Sequence, residues 1–230
     1  MTPPQFERAR SAEAKRIRET AILEAAGRLA TEAGVRAVTL TDIAAAVGMH
    51  KSAMLRYFET REEIFLRLAA SGWTEWSQAV RERLAGPADG ATSVEPASAV
   101  VAGVLADTLV ARPLFCDLLA HTPITLERGV SLTAVRAFKT TALAEAGAVG
   151  AALCQAAPAI SARQAGDTVA TATAMAGALW QMAAPGTELR RFYEETPDLA
   201  HAVVDVAPRL TDILTALLDG YRAQASRRSR

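Results

Sequence analysis

The sequence predicts an all-α protein, with three short helices in an N-terminal domain and a larger helical domain behind them. Three observations carry this. Ala, Leu, Glu and Arg dominate, and no run alternates β-branched with polar residues. Apolar residues recur three and four apart in long segments, as in Ile22, Ala26, Leu29 and Ala33. Ser or Thr stands three residues before Asp, Glu or Gln at Thr39/Asp42, Thr60/Glu63 and Ser161/Gln164, the pattern of a capping box at a helix start.

The elements follow in order. A first helix spans about residues 12–33 and stops at Gly34, a left-handed C-cap candidate. Thr39 opens a short helix, 40–47, which Gly48 ends. A third helix, 51–58, follows almost at once. Thr60 opens a longer helix to residue 84 whose stripe is Phe65, Ala69, Gly72, Trp76 and Val80. The Gly/Pro/Ser/Asp-rich stretch 85–96 reads as a loop. Helices are then expected at 97–111, 113–120, 125–146, 161–184 and 197–223, with Pro113, Pro123 and Pro197 in first turns. The domains are 1–63 and 64–221, with 222–230 a basic, polar and disordered tail.

Composition removes several function classes. Lysines and arginines balance acids, 25 to 25, so there is no general basic coat, although one local basic surface suffices to attract phosphates. The two cysteines, Cys116 and Cys154, stand alone in apolar surroundings and form no zinc or disulfide pattern. They read as small buried hydrophobes, and no metal or other cofactor is expected. The N-terminus lacks an apolar signal core, and the uncharged stretch 168–184, which Pro185 and Gly186 close, is Ala/Thr-rich and shorter than the ~20 residues of a membrane span. The expected location is cytoplasmic. An enzyme is not expected: the three histidines, His50, His121 and His201, have neither metal-ligand nor triad spacing, and the "REE" and "YEE" runs read as solvated helix surface.

Residues 39–58 carry the chemistry. Ile43 and Ala44 face inward, Gly48 turns the chain with positive φ, and Met54 and Phe58 close the same small core. A small residue at position 44 lets two helices cross steeply, which is the logic of a helix-turn-helix. The outward face of the second helix is then Lys51, Ser52, Ala53 and Arg56, with Tyr57 at its edge. Such a helix fits a major groove ~12 Å wide, where Lys51 reaches guanine acceptors, Ser52 donates or accepts, and the Ala53 methyl packs on a thymine methyl. Thr41 faces the same side, while Thr39, Tyr57 and Arg61 suit phosphate contact. The alternative is a helical corner on the surface of an all-helical protein, used for protein contact or for nothing.

The stretch "ILEAAGRLATEAGVRAVTLTDIAAAVGMHKSAMLRYFETREEIFLRLA", residues 22–69, resembles the DNA-binding domain of the tetracycline-repressor (TetR) family. Gly34, Thr39, Ile43, Ala44, Gly48, Lys51, Tyr57, Phe58, Glu62 and Glu63 match that family's pattern with unbroken spacing. Four positions depart from it. His50 replaces the usual Ser cap, Ser52 replaces Gly or Pro, Arg61 replaces Lys, and Leu55 stands where a tyrosine usually reaches a phosphate. A leucine cannot donate there, so that contact is either lost or supplied by Tyr57 or Arg56. Arg8, Arg10, Lys15, Arg16 and Arg18 precede the domain, either as a DNA-touching arm or as a solvated helix start.

The resemblance implies a ligand-responsive transcriptional regulator, most simply a repressor of a palindromic double-stranded operator. It implies a homodimer through 161–184 and 197–223, with small Ala170, Ala174 and Ala178 on the first segment and Val203, Val206, Leu210, Ile213, Leu214 and Leu217 on the second. The alternative is that these stripes bury within one chain. It also implies a ligand-binding domain, whose candidate lining is Trp73, Trp76, Phe115, His121, Phe138, Trp180 and Met182, against ordinary core packing for each. Few charges in that set favour a small apolar or aromatic effector.

Overall fold

The computed structural model describes residues 5–85 and 98–228, with side chains from 13 to 227. Ten α-helices account for most of those residues: α1 (Gln5–Ala33), α2 (Leu40–Ala46), α3 (Lys51–Met54), α4 (Arg61–Leu84), α5 (Ser98–Val110), α6 (Pro113–His121), α7 (Leu132–Ala156), α8 (Ala162–Ala183), α9 (Glu188–Glu195) and α10 (Val206–Arg228). No strand occurs among the described residues. The loop expected at 85–96 lies, apart from Ala85, outside them.

The N-terminal elements form for the reasons their sequence suggests. Gly34, at φ +84°, ends α1 with its amide bonded to Ala30 O at 2.8 Å. The Thr39 capping box is complete, with Asp42 N donating to Thr39 Oγ1 at 3.2 Å and Thr39 N to Asp42 Oδ2 at 2.8 Å. The Thr39 hydroxyl and amide, both donating to it, hold the exposed Asp42 carboxyl below its ordinary range, the side-chain bond contributing most. Gly48 turns at φ +66°, and Met49 N reaches back to Ala44 O at 2.8 Å. Ile22, Ala26, Val38, Ile43, Ala44, Met54, Phe58 and Phe65 are buried together in one core.

α3 is shorter than the 51–58 expected. His50 makes no side-chain cap bond, and after Met54 the chain continues as tight turns, with Tyr57 N on Met54 O at 2.9 Å. An uncapped helix of one turn loses its regular ladder early.

α4 begins in the first domain and runs through the second, where it packs chiefly on α7. α5 lies on α10, and α6 on α8. α6 is gripped closely. A Cβ built on Gly72 of α4 would stand 2.3 Å from the Phe115 ring, and one on Gly177 of α8 would stand 2.8 Å from Ala120 N. Only glycine allows those approaches.

The later elements depart from expectation. Instead of a helix from residue 125, Thr122–Leu126 forms one wide turn, with Glu127 N bonded to Thr122 O at 3.1 Å. α7 starts only at Leu132, where Ser131 Oγ accepts from Ala134 N. It continues past 146 to Ala156, because its alanine-rich end meets no obstacle until Pro158, whose ring disfavours helix in the residue before it. α8 has the expected capping box at Ser161 and Gln164 and ends on Ala184 at φ +42°, a conformation alanine adopts at a cost of order 1 kcal/mol. α9 has no counterpart among the expected helices. Thr187 caps it, and Arg190 donates to Val204 O at 2.9 Å. Pro197–Ala202 is a tighter turn, so α10 begins later than residue 197. It also runs through Arg228, so residues 222–228 are helix end and not a tail.

Among the described residues no single helix is long and apolar enough to cross a membrane.

Candidate nucleic-acid interface and effector groove

The α2–turn–α3 unit presents one polar face. Thr41, Lys51, Ser52 and Arg56 are exposed, while Ala53 and Tyr57 are half-buried and Tyr57 packs against the core. Met54 and Phe58 point the other way and are fully buried. Along α3 and the turns that follow it, the side chains that anchor the unit thus lie opposite those that meet solvent. Thr39 is exposed, but its hydroxyl already donates to Asp42 Oδ2 at 2.7 Å and accepts from Asp42 N. Leu55 is 54% exposed, an apolar side chain on the same surface.

Arg61 takes a different place from the expected phosphate contact. Its side chain is only 19% exposed. Nε and one terminal nitrogen donate to the carbonyls of Val38 and Val35, the other nitrogen pairs with Glu62 at 3.0 Å, and the guanidinium stacks 4.6 Å from the Phe65 ring centroid. Its fixed fork of donors is therefore spent on closing the α1–α2 turn against α4. In the N-terminal segment, Lys15 pairs with Glu19 at 3.7 Å and Arg16 with Glu13, while the side chains of Arg8 and Arg10 lie outside the described residues. All of these positions belong to α1, which begins at Gln5 among the described residues.

The second domain carries an apolar groove of about 740 Å³ between α7 and α8. Its floor includes Trp73, Phe138, Ala142, Gly150, Val169 and Thr173, and its banks are mostly alanine and glycine. Lys139 and Glu127, 2.7 Å apart, are the charged groups at its rim. A groove of similar size, about 730 Å³, separates α4 from α7, but Glu59, Glu63, Glu75 and Arg67 make it polar. Apolar ligands fit the first.

Of the seven expected lining residues, the structure brings only Trp73 and Phe138 to that groove. Trp76 is fully buried and donates to Thr108 Oγ1 at 3.0 Å. Phe115 lies in the core edge-on to Trp73, ring centroids 5.7 Å apart. His121 is held by Asp117, whose backbone oxygen is 2.9 Å from its Nδ1. Trp180 lines a separate hollow with Arg190 and Arg191, and Met182 is 59% exposed. These five lie elsewhere for a common reason: helical spacing cannot separate a core stripe from a ligand wall. The small residues that form the groove, Gly147, Gly150 and Ala151 among them, carry no side-chain chemistry to signal it.

The exposed face of α8 has an unusual composition. Ala162, Gly166, Ala170, Ala174, Ala178 and Met182 fall four apart along the whole helix, and all are exposed. Ala162, Gly166, Ala170 and Ala174 also border the groove. On α10, Leu210 and Leu214 are fully buried within the chain, and Ile213 and Leu217 are half-buried.

A capped two-helix reading unit on a helical body that holds an apolar groove defines a helix-turn-helix DNA-binding regulator. The comparisons agree. Residues 22–68 match the model for bacterial regulatory proteins of the tetR family, and residues 70–225 match the tetracyclin repressor-like C-terminal domain. The chain belongs to the TetR family of transcriptional regulators. Its fold is shared by the fatty acid degradation regulator FadR from Bacillus halodurans, at 15% identity and a TM-score of 0.52, covering 86% of this chain and 94% of that one. It is also shared by the multidrug binding protein EbrR complexed with imidazole, at 19% and 0.53, covering 87% and 94%. A TetR/AcrR-family regulator from Thermobifida fusca YX-ER1 gives 19% and 0.50, covering 89% and 98%. No curated protein matches the sequence significantly.

Proposed function

We propose that this regulator is a homodimeric repressor that reads a palindromic operator with Thr41, Lys51, Ser52 and Ala53, and grips phosphates with Arg56 and Tyr57. The observation that carries the reading face is the split across α3 and the turns that follow it: Met54 and Phe58 anchor the unit, and Lys51, Ser52 and Arg56 meet solvent. Lys51 and Ser52 stand at the start of α3, where side chains meet base edges in this docking geometry. Thr39 supports the face as the cap of α2, and Arg61 by fixing the turn before it.

Dimerisation is supported by the α8 stripe. Six small or flexible exposed residues at a spacing of four let a second helix approach closely along the whole length. A symmetric protein matches a symmetric operator. An elongated apolar effector fits the α7–α8 groove, resting on Trp73 and Phe138. Occupancy there shifts the population towards a form whose two heads no longer suit both half-sites. Such a repressor works where the chromosome is, in the cytoplasm.

The test selects duplexes from a random pool with the full-length protein and titrates the winner by mobility shift. The reading requires an inverted repeat among the winners and weaker binding by Lys51→Ala. A pool that yields no enriched sequence sinks it. For the groove, thermal shift with medium-chain alcohols and naphthalene derivatives should raise the unfolding midpoint, and Ala146→Trp, which fills the groove, should abolish that rise.

A further inference from the structure

α6 carries one acid in an otherwise apolar run, "LFCDLLAH". Asp117 is 9% exposed, and a carboxylate at this depth is costly unless its oxygens are occupied. They are occupied from three sides. Oδ2 accepts from Val35 N at 2.7 Å, and Oδ1 accepts from Gln181 Nε2 at 2.8 Å. His121 Nδ1 lies 3.2 Å from Oδ1. Val35 follows Gly34 in the α1–α2 turn of the reading domain, and Gln181 is in the last turn of α8. One side chain therefore ties the reading domain to α8 without passing through α4, the helix that joins the domains covalently.

Both ends of this tie are stiff. The α1–α2 turn is held from the other side, because the Val35 and Val38 carbonyls receive Arg61 of α4. α8 lies hard against α6, since Gly177 admits the Ala120 backbone to a distance that no other residue allows. α8 is also the helix that borders the groove and carries the exposed stripe. An apolar residue at position 117 would avoid the desolvation cost. It would also leave the Val35 amide without this acceptor. The acid satisfies the Val35 amide and at the same time bonds directionally to α8, so it joins elements of both domains.

We infer that Asp117 is a positioning residue, which sets the reading domain relative to α8 through the Gln181–Asp117–Val35 bonds. The inference rests on the dimeric reading proposed above. Two heads fixed to one dimer can accept only half-sites at the right separation, since each added base pair shifts and rotates one site relative to the other. Loosening the tie frees each head to follow its own half-site. Affinity for a single half-site should then stay constant while discrimination between spacings falls, a split that mere loss of stability does not produce.

The experiment measures binding of the full-length protein to three duplexes: the selected operator, the same operator with one base pair inserted between its half-sites, and a single half-site. Gln181→Glu removes the donor and sets two carboxylates face to face. Asp117→Asn combined with Gln181→Glu rebuilds the network with one bond reversed. The amide introduced at position 117 then donates to the carboxylate introduced at position 181, while its oxygen keeps the Val35 N–H. The parent should prefer the selected spacing by about tenfold or more, a ratio worth ~1.4 kcal/mol. Gln181→Glu should lose most of that preference at unchanged half-site affinity, and the double variant should recover it. A discriminating parent whose preference survives in Gln181→Glu overturns the inference and leaves the dimer standing, as does a folded double variant that fails to recover it. A parent indifferent to spacing overturns the dimeric reading, and the inference with it.

Discussion

Lys51 and Arg61 are both basic residues of the reading domain, and the structure gives them opposite consequences. Lys51 is exposed and touches nothing that its loss would orphan, so Lys51→Ala should change stability by no more than ~0.5 kcal/mol. Its effect should appear on DNA, as a loss of ~1–3 kcal/mol for the selected site. Arg61 bonds two backbone carbonyls, so Arg61→Ala should cost ~1–3 kcal/mol of folding stability. Denaturant unfolding of both variants beside DNA titration separates the two roles; equal stability losses would contradict the placement. The cysteines differ in the same way. Burial, helped by Asp117 beside it, pushes the Cys116 thiol up to about 12, so it stays protonated and unreactive well above neutrality. Cys154 is half-buried at the groove. Native protein at mildly alkaline pH should titrate a single thiol per chain with a disulfide reagent, that of Cys154, and both cysteines after denaturation.

Each element is readable in the sequence to the extent that its reasons are local. Thr39, Gly34, Gly48 and Ser161 announce their caps and turns by residue type alone, and the structure has them there. The end of α7 is hard to place because alanines and glycines carry no periodicity, and only Pro158 marks the stop. α9 is invisible because "ELRRFYEE" buries none of its side chains, so no apolar stripe marks it as part of the body. Close helix contacts are equally silent in sequence, since Gly72, Gly103 and Gly177 all sit in predicted helices. The structure distinguishes them. Gly177→Ala would push a methyl onto the Ala120 backbone, which cannot swing aside, and should cost ~1–3 kcal/mol. Gly103→Ala meets nothing within 4 Å and should gain up to ~1 kcal/mol from helix propensity. Opposite shifts in unfolding midpoint check the pair. The helix-turn-helix itself is legible, because it is built from neighbours in sequence. The groove is not, because its walls come from α4, α7 and α8, and its lining chemistry is mostly small residues.

For the molecule as a whole, the proposal joins a reading head to a dimer seam and a groove on the same helix, α8. Ala170→Arg puts a charge in the middle of the exposed stripe, at the border of the groove. It should shift sedimentation from dimer to monomer and weaken operator binding, because each chain then meets one half-site. Net charge is zero, so DNA attraction must come from a local surface, and affinity should fall steeply with salt. The most direct test of the central claim is a fluorescence-anisotropy titration at one fixed salt concentration. It compares parent and Lys51→Ala on the selected operator and on a scrambled duplex of equal length. The account predicts that the parent prefers the operator by at least ~1000-fold and that Lys51→Ala loses about ten-fold or more on the operator alone. Equal binding of both duplexes by the parent, or an operator affinity untouched by Lys51→Ala, would contradict it.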